Sequence, residues 1–402
     1  MSMRRRRGVQ RGRATAGTPE AVVVGGGLNA LGVARSLGRE HVAVRLLAGA
    51  RDLPAARSRY VRPVFYDAGR AENVVEALAD LARREPGARR PLILTEEEKV
   101  AAVSAYRARL DADYILQLPA ADTVTRLLHK DGFRAAAEAG GHVVPRTRRV
   151  RSVVDLDALT TLVPPLVIKP AGRQAAFLAR FPRASRVDSV AEACDTLQRM
   201  LAVSDDLVVQ EWVDGDDSTI YFCLQCVAEG DRAPVSFVGR KLRAWPRQTG
   251  GTARCIAAPE AAELAAVTTR FFREQGVIGL AGMEYKWRAA TQEYVMIEPT
   301  VGRTDHQQEI ATLNGVNLPW AAYRQALGLD APRAISVNPV RVWKDPMADA
   351  NAAALGRRIA FPGPRDARVV DALWRAADPA PALLDLRDRA RARLARAVGR
   401  RT

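Results

Sequence analysis

The stretch GLAGMEYKWRAATQEYVMIEPT, residues 279–300, reads as two strand-like runs, GLAGMEYKW and EYVMIEPT, joined by a short loop near 288–292. Each run carries one central carboxylate, Glu284 in the first and Glu298 in the second. In an antiparallel pair closed by a short loop, two such side chains can converge on one face of the sheet. The bland reading makes one or both an edge or surface residue. For Glu298 that reading is weak, because the charge ends the apolar run Val-Met-Ile and precedes Pro299, so it needs a partner. Two carboxylates on rigid strands, with no histidine or cysteine beside them, suit a hard cation such as Mg²⁺ bound partly through phosphate oxygens.

Upstream, the apolar run PPLVIKP ends in Lys169, which sets one ammonium at the end of a buried strand, as nucleotide phosphates require. Lysine is scarce here, six residues against 55 arginines, so the positions where it persists stand out: Lys130 opens LHKDGFRAAAEAGG, Lys241 lies in GRKLR, and Lys286 follows in MEYK. About forty residues after Lys169, DLVVQEWV is another apolar strand with a polar end. Its backbone beyond Gln210 is a candidate edge for a purine.

The chain begins with a different pattern. AVVVGGGLNALGVARSLGREHVAVRLLA reads as strand, glycine turn, helix and strand, and the alternation continues to about residue 122, predicting a doubly wound parallel sheet. From the helix after Lys130 onward the elements read as α+β, with antiparallel-looking strands at 218–228, 234–239 and 251–257 and a helix at 259–275. Beyond 330, prolines at 332, 339, 346, 362 and 364 suggest a loosely packed extension ending in a basic helix.

The 402 residues allow two or three domains. The formal charge of +16 comes from the ends. Residues 1–19 hold six arginines and no acid, and residues 333–402 hold 15 basic against 7 acidic residues, which leaves 40 basic against 38 acidic in between. A near-neutral body argues against nucleic acid as the partner, and the arm at 1–19 reads as a disordered tail. No run approaches a membrane span, and a glycine-interrupted Ala21–Ala34 makes a poor signal peptide, so a cytoplasmic location is expected. Cys223 and Cys226 sit three apart in a strand, which directs them to opposite faces and speaks against a metal pair. The cluster Gly25-x-Gly27-x-x-Ala30 nearly matches a dinucleotide fingerprint, but the second strand ends Arg45-Leu46-Leu47 without the acid that NAD's ribose needs. A tight turn lining a substrate cleft is the reading preferred. Thr249-Gly250-Gly251 reads equally as a backbone nest for an anion or as a hairpin turn. His306, in a polar loop, reads as solvated or as a substrate contact.

Taken in order, Lys130, VIKP, QEWVDGDD, GRKLR with TGG, MEYK and IEPT resemble the ATP-grasp superfamily, of the carbamoyl-phosphate-synthase-like and carboxylate–amine ligase type, over roughly residues 20–325. The resemblance implies a Rossmann-like pre-ATP-grasp α/β domain at 20–124 and an α+β ATP-grasp domain at 125–330, with a nucleotide-lid subdomain at 145–212 and an extension at 331–402. It implies an ADP-forming ligase that joins small-molecule carboxylate and amine substrates through an acylphosphate, using ATP and Mg²⁺. Lys130 and Lys169 would then contact phosphates, and Gln210, Glu211 and Val213 would line the adenine site. Asp217, or else Asp216, would hold the ribose, and Glu284, Glu298 and Thr300 the metal. Lys241, Arg243 and Arg303 would face the transferred phosphoryl group. Thr300 stands where the family carries asparagine, Gly302 where it carries arginine, and AGRQAAFLARFPRAS replaces its glycine-rich loop. Those departures keep open a non-catalytic ATP-binding or scaffold protein of the same fold.

Overall fold

The computed structural model describes residues 18–171, 175–230, 232–354 and 365–399. The arm at 1–17 and the centre of the loop that replaces the glycine-rich one, Gly172–Gln174, lie outside the described residues. The chain opens with the expected alternation: β1 (Ala21–Val24), α1 (Leu28–Arg39), β2 (Val44–Ala48), β3 (Val61–Phe65), α2 (Asn73–Arg84), β4 (Arg90–Leu94), α3 (Glu97–Ala105), β5 (Tyr114–Leu116) and α4 (Ala121–Leu128). The five strands form a parallel sheet in the order β3-β2-β1-β4-β5. Val22–Val24 are fully buried, as a strand covered on both faces demands. Pro63 is confined to the edge strand, where a missing amide costs no ladder bond inside the sheet.

The second unit carries α5 (Lys130–Ala139), β6 (Thr147–Val150), β7 (Leu166–Pro170), α6 (Ala175–Leu178), β8 (Ser185–Val187), α7 (Val190–Leu201) and β9 (Leu207–Glu211). Its strands form an antiparallel sheet, β6-β9-β7-β8. Strand alternation divides β7 and β9 cleanly. Leu166, Ile168, Leu207 and Val209 enter a core with Phe177, Leu197 and Met200, while Val167, Lys169, Val208 and Gln210 face a cleft.

The third unit is a seven-stranded sheet built from β10 (Ile220–Val227), β11 (Val235–Trp245), β12 (Gly251–Ala257), β13 (Gly279–Arg288) and β14 (Glu293–Val301), with two later strands. Helices α8 (Leu264–Glu274), α9 (Glu309–Leu313) and α10 (Leu318–Ala326) pack on it. Cys223 and Cys226 point into different cores on its two faces, as their odd spacing predicts, and both are free thiols.

The segment after 330 departs from the expected loose extension. β15 (Arg341–Lys344) pairs with β12, and β16 (Arg368–Asp371) pairs with β15, so the segment completes the large sheet. Trp343 is fully buried there. Helix α11 (Pro346–Ala354) lies against β11 and β12, and α12 (Ala380–Gly399) reaches back to the residues just before β3. The fastening to the first unit is a buried pair: Arg35 of α1 donates from Nε to Asp378 (3.0 Å) and from its Nη atoms to the carbonyls of Ala372 and Leu373. None of the helices among the described residues is long and apolar enough to cross a membrane.

Candidate functional site

A cleft opens between the four-stranded sheet, the large sheet and the start of α3. Glu284 and Glu298 stand directly opposite each other in the β13–β14 ladder, hence on one face and side by side. The register slips by one residue immediately beyond them, at Ile297, so the pairing that brings the carboxylates together is local. Thr300 lies two residues farther along the same face and also lines the cleft.

Lysines surround this pair. Lys241, which is buried, sets its Nζ 2.6 Å from Glu284 Oε2 and donates to the Gly250 carbonyl at 3.3 Å. Lys169 donates to Gln210 Oε1 (3.3 Å) and Lys130 to the Pro170 carbonyl (3.3 Å). Burial, and after it the Lys130 charge, brings the Lys169 ammonium down to about 8, against the pull of Glu298 and Glu284. Burial also lowers Lys130, with Glu298 opposing. Two desolvated ammonium groups beside each other want a polyanion between them.

The residues proposed for adenine lie together along β9 and just past it, on the cleft wall. Gln210 links β7 and β6 across the four-stranded sheet, accepting from Lys169 and donating from Nε2 to Thr147 Oγ1 (3.2 Å). Glu211 uses Oε1 to accept from the Val163 amide (2.9 Å) and donates its own amide to the Arg146 carbonyl (2.9 Å), and Val213 is buried nearby.

Two assignments are corrected. Asp217 does not face the cleft. It is buried, with Oδ2 accepting from the Ala244 amide (2.9 Å) and Oδ1 from the Gln248 amide (2.7 Å), so both oxygens hold the β11–β12 hairpin. Its alternative, Asp216, accepts from the Ser218 amide and hydroxyl and caps a short turn. Arg243 also leaves the site. Strand periodicity puts residues 241 and 243 on one face, but β11 bulges between them: Lys241 pairs with Cys255 and Arg243 with Arg254. Adjacent residues of β12 face opposite ways, so the bulge turns Arg243 away from Lys241. Arg243 and Arg254 both grip Asp349 of α11, at 2.9 and 2.5 Å.

Arg303 does line the cleft, one place beyond the position the family pattern predicts. Leu94 and Arg303 form an isolated parallel bridge, and Asn29 donates to the carbonyls of both Thr95 (2.9 Å) and Thr304 (2.8 Å). The crevice at the switch point between β1 and β4, where a dinucleotide would bind, is therefore filled by the 303–304 segment. The hairpin residues Thr249, Gly250 and Gly251 line the cleft, with the Gly250 carbonyl turned to Lys241.

Several cleft residues were given no definite role from the sequence, although Lys286 stood out there as one of its few lysines. Lys286 lies 4.5 Å over the Trp212 ring and is brought to about 8 by burial, against Asp214 and Asp217. Its place two residues after Glu284 was the available signal. Arg183 and Glu97 join from sequence-distant elements with no local signature. His306, far from merely solvated, pairs with Asp345 (3.3 Å) and meets the Trp343 ring edge-on at 5.4 Å.

For a cation, the two facing carboxylates and the Thr300 hydroxyl supply oxygen alone. Among the described residues no group of three or more His, Cys, Asp or Glu assembles. Such a sparse, hard set fits Mg²⁺ completed by phosphate oxygens better than an all-protein cage.

No family model and no curated protein matches the sequence. Solved structures do. The chain is similar to N5-carboxyaminoimidazole synthetase from Staphylococcus aureus, with a TM-score of 0.63, 13% identity and 81% of each chain covered, and that enzyme is also solved with ADP. It is similar to N5-carboxyaminoimidazole ribonucleotide synthetase from Thermus thermophilus (TM-score 0.60, 17% identity, 79% of this chain and 80% of that one). It is also similar to L-amino acid ligase from Bacillus licheniformis (0.57, 16%, 78% and 75%). At these identities the likeness is one of fold, and that fold is ATP-grasp.

Proposed function

We propose that the chain is an ATP-dependent ligase that joins a carboxylate to an amine. The observation that carries this reading is the facing pair Glu284 and Glu298, ringed by Lys130, Lys169 and Lys241 in one cleft. The γ-phosphoryl group of ATP passes to a carboxylate oxygen: an O–P bond forms, the bridging β–γ bond breaks, and ADP leaves with the electron pair. The amine then attacks the acyl carbon, a C–N bond forms, and phosphate leaves as the amine gives up a proton. Such transfer asks for positioning and charge neutralisation, and the protein's own groups provide both. Lys130 and Lys169 hold phosphate oxygens, the β9 edge holds the purine, and Glu284, Glu298 and Thr300 hold Mg²⁺, whose part is to neutralise the phosphates. Lys241, released from Glu284, and Arg303 face the transferred group. The substrates in this reading are small molecules, and its location is the cytoplasm.

The Lys241–Glu284 contact supports one second reading, a nucleotide-binding scaffold in which the lysine permanently replaces the cation. Calorimetry with Mg·ATP and phosphate release across a panel of acids and amines separate the two. Absence of nucleotide binding sinks both. Binding without turnover across the panel favours the scaffold, and turnover that Glu298→Gln abolishes establishes the ligase.

A further inference from the structure

A second cavity of 430 Å³ adjoins the first, and three residues, Gly251, Thr252 and His306, line both. Its walls come from three parts of the chain: Leu28 at the start of α1, Trp245 at the end of β11, and Met347 and Leu373 from the C-terminal segment. The surface is mainly apolar. The Thr252 hydroxyl, buried at the junction, has no hydrogen-bond partner, so a polar group is wanted there.

The charges of the two cavities differ in kind. The first gathers Lys130, Lys169, Arg183, Lys241, Lys286 and Arg303, a setting for phosphates and a carboxylate. Among the described residues the second holds no lysine, and its one arginine, Arg389, is committed to Asp385 at 2.7 Å. Asp345 stands at the neck with Oδ2 toward His306 (3.3 Å), and Oδ1 accepts from the amides of Met347 (3.0 Å) and Ala348 (3.1 Å). Burial pushes the Asp345 carboxyl up, but His306 and these amides outweigh it and hold the group below the ordinary carboxylate range. Among the described residues a carboxylate entering this cavity finds no uncommitted arginine or lysine, whereas an ammonium finds the Asp345 carboxylate, whose contacts to His306 and two amides leave about one of its four acceptor positions open.

We propose that the second cavity is a site for a primary ammonium on an apolar body, the head lying at the neck by Asp345 and the Thr252 hydroxyl. It rests on the ligase reading for its role as the amine co-substrate subsite: the bound ammonium releases one proton to solvent, the free amine attacks the acyl carbon presented from the first cavity at the shared neck, and phosphate leaves with the C–O electron pair as a second proton departs.

The test is calorimetry on the full chain at neutral pH with hexylamine, hexanol and hexanoate, without nucleotide. Hexylamine is expected to bind one-to-one and about tenfold tighter than hexanol, the worth of one charge-assisted contact. Hexanoate should bind no tighter than hexanol. Asp345→Asn should erase the preference for the amine. Because Asp345 also caps α11, a second variant is needed: Asn351→Trp, at an exposed position on the cavity wall, should block all three ligands while leaving the thermal transition in place. Equal binding of the three, hexanoate binding tightest, no binding at all, or a preference that survives both substitutions overturns the proposal. Mg·ATP titrated into the same protein separates the two failures. ATP binding without amine preference removes the subsite and leaves the ligase reading, and amine binding without ATP does the reverse.

Discussion

Glu284 and Lys241 lie 2.6 Å apart, and the lysine is the more deeply buried of the two. The two glutamates should therefore respond differently to loss of charge. Glu298 is exposed to the cleft, so Glu298→Gln should abolish turnover with almost no change in urea midpoint. Glu284→Gln should abolish turnover and also cost about 1–3 kcal/mol of stability, because it strips a buried ammonium of its carboxylate. Equal midpoints for the two variants would contradict the structural role of the Lys241 contact. Lys169 and Lys286, each brought down to about 8, predict the pH behaviour. Below pH 8 both are charged and nucleotide affinity is at its full value. As pH rises through 8 the free protein loses these protons, and a bound polyanion, which favours the charged forms, must restore them. Mg·ATP binding near pH 8 should thus take up protons, seen as a binding enthalpy that varies with the buffer's ionisation enthalpy, and affinity should fall toward pH 10. A buffer-independent enthalpy at pH 8 would show that the bound polyanion does not restore the protons of these cleft lysines.

At the scale of elements, one bulge decides which basic residue belongs to the site. β11 runs on through Trp245, beyond the strand expected at 234–239, and the bulge after Lys241 puts Arg243 on the face of α11. Arg243→Gln should leave Mg·ATP affinity within about twofold while lowering stability by about 1–3 kcal/mol through the loss of an Asp349 partner. Calorimetry and urea unfolding on the same variant check both halves, and a large affinity loss with unchanged stability would return Arg243 to the cleft. Strands β7 and β9 behave more simply. Their two-residue alternation sends leucine and isoleucine to the core of the four-stranded sheet and Lys169 and Gln210 to the cleft.

At the scale of the molecule, the C-terminal segment ties the first unit to the last. Arg35 and Asp378 are buried together, and Asp378 also accepts from the Ser58 hydroxyl (2.8 Å) and the Arg59 amide (2.9 Å). Asp378→Ala should cost about 3–5 kcal/mol, since it leaves a guanidinium buried without its counter-charge. A fall of less than about 1 kcal/mol in a urea titration would mean that solvent reaches Arg35. The same segment, through Met347 and Leu373, walls the second cavity, so the fastening that stabilises the fold also shapes the proposed amine subsite.

The sequence by itself determined the succession of a parallel α/β unit and an α+β unit with antiparallel strands, and it singled out Lys130, Lys169, Glu284 and Glu298, which the family resemblance then grouped. Each of those signals is local: a periodicity of two or 3.6, a charge ending an apolar run, a glycine turn. Only the tertiary structure decided that Asp217 spends both oxygens on amides of a hairpin 27 and 31 residues away, that Arg243 faces α11, and that the proline-rich end completes the large sheet. A bulge and a long-range hydrogen bond leave no period in the chain, because the residues that cause them become neighbours only after folding. For the same reason the second cavity was illegible: its walls come from residues 28, 245, 347 and 373, and no stretch of sequence contains them together.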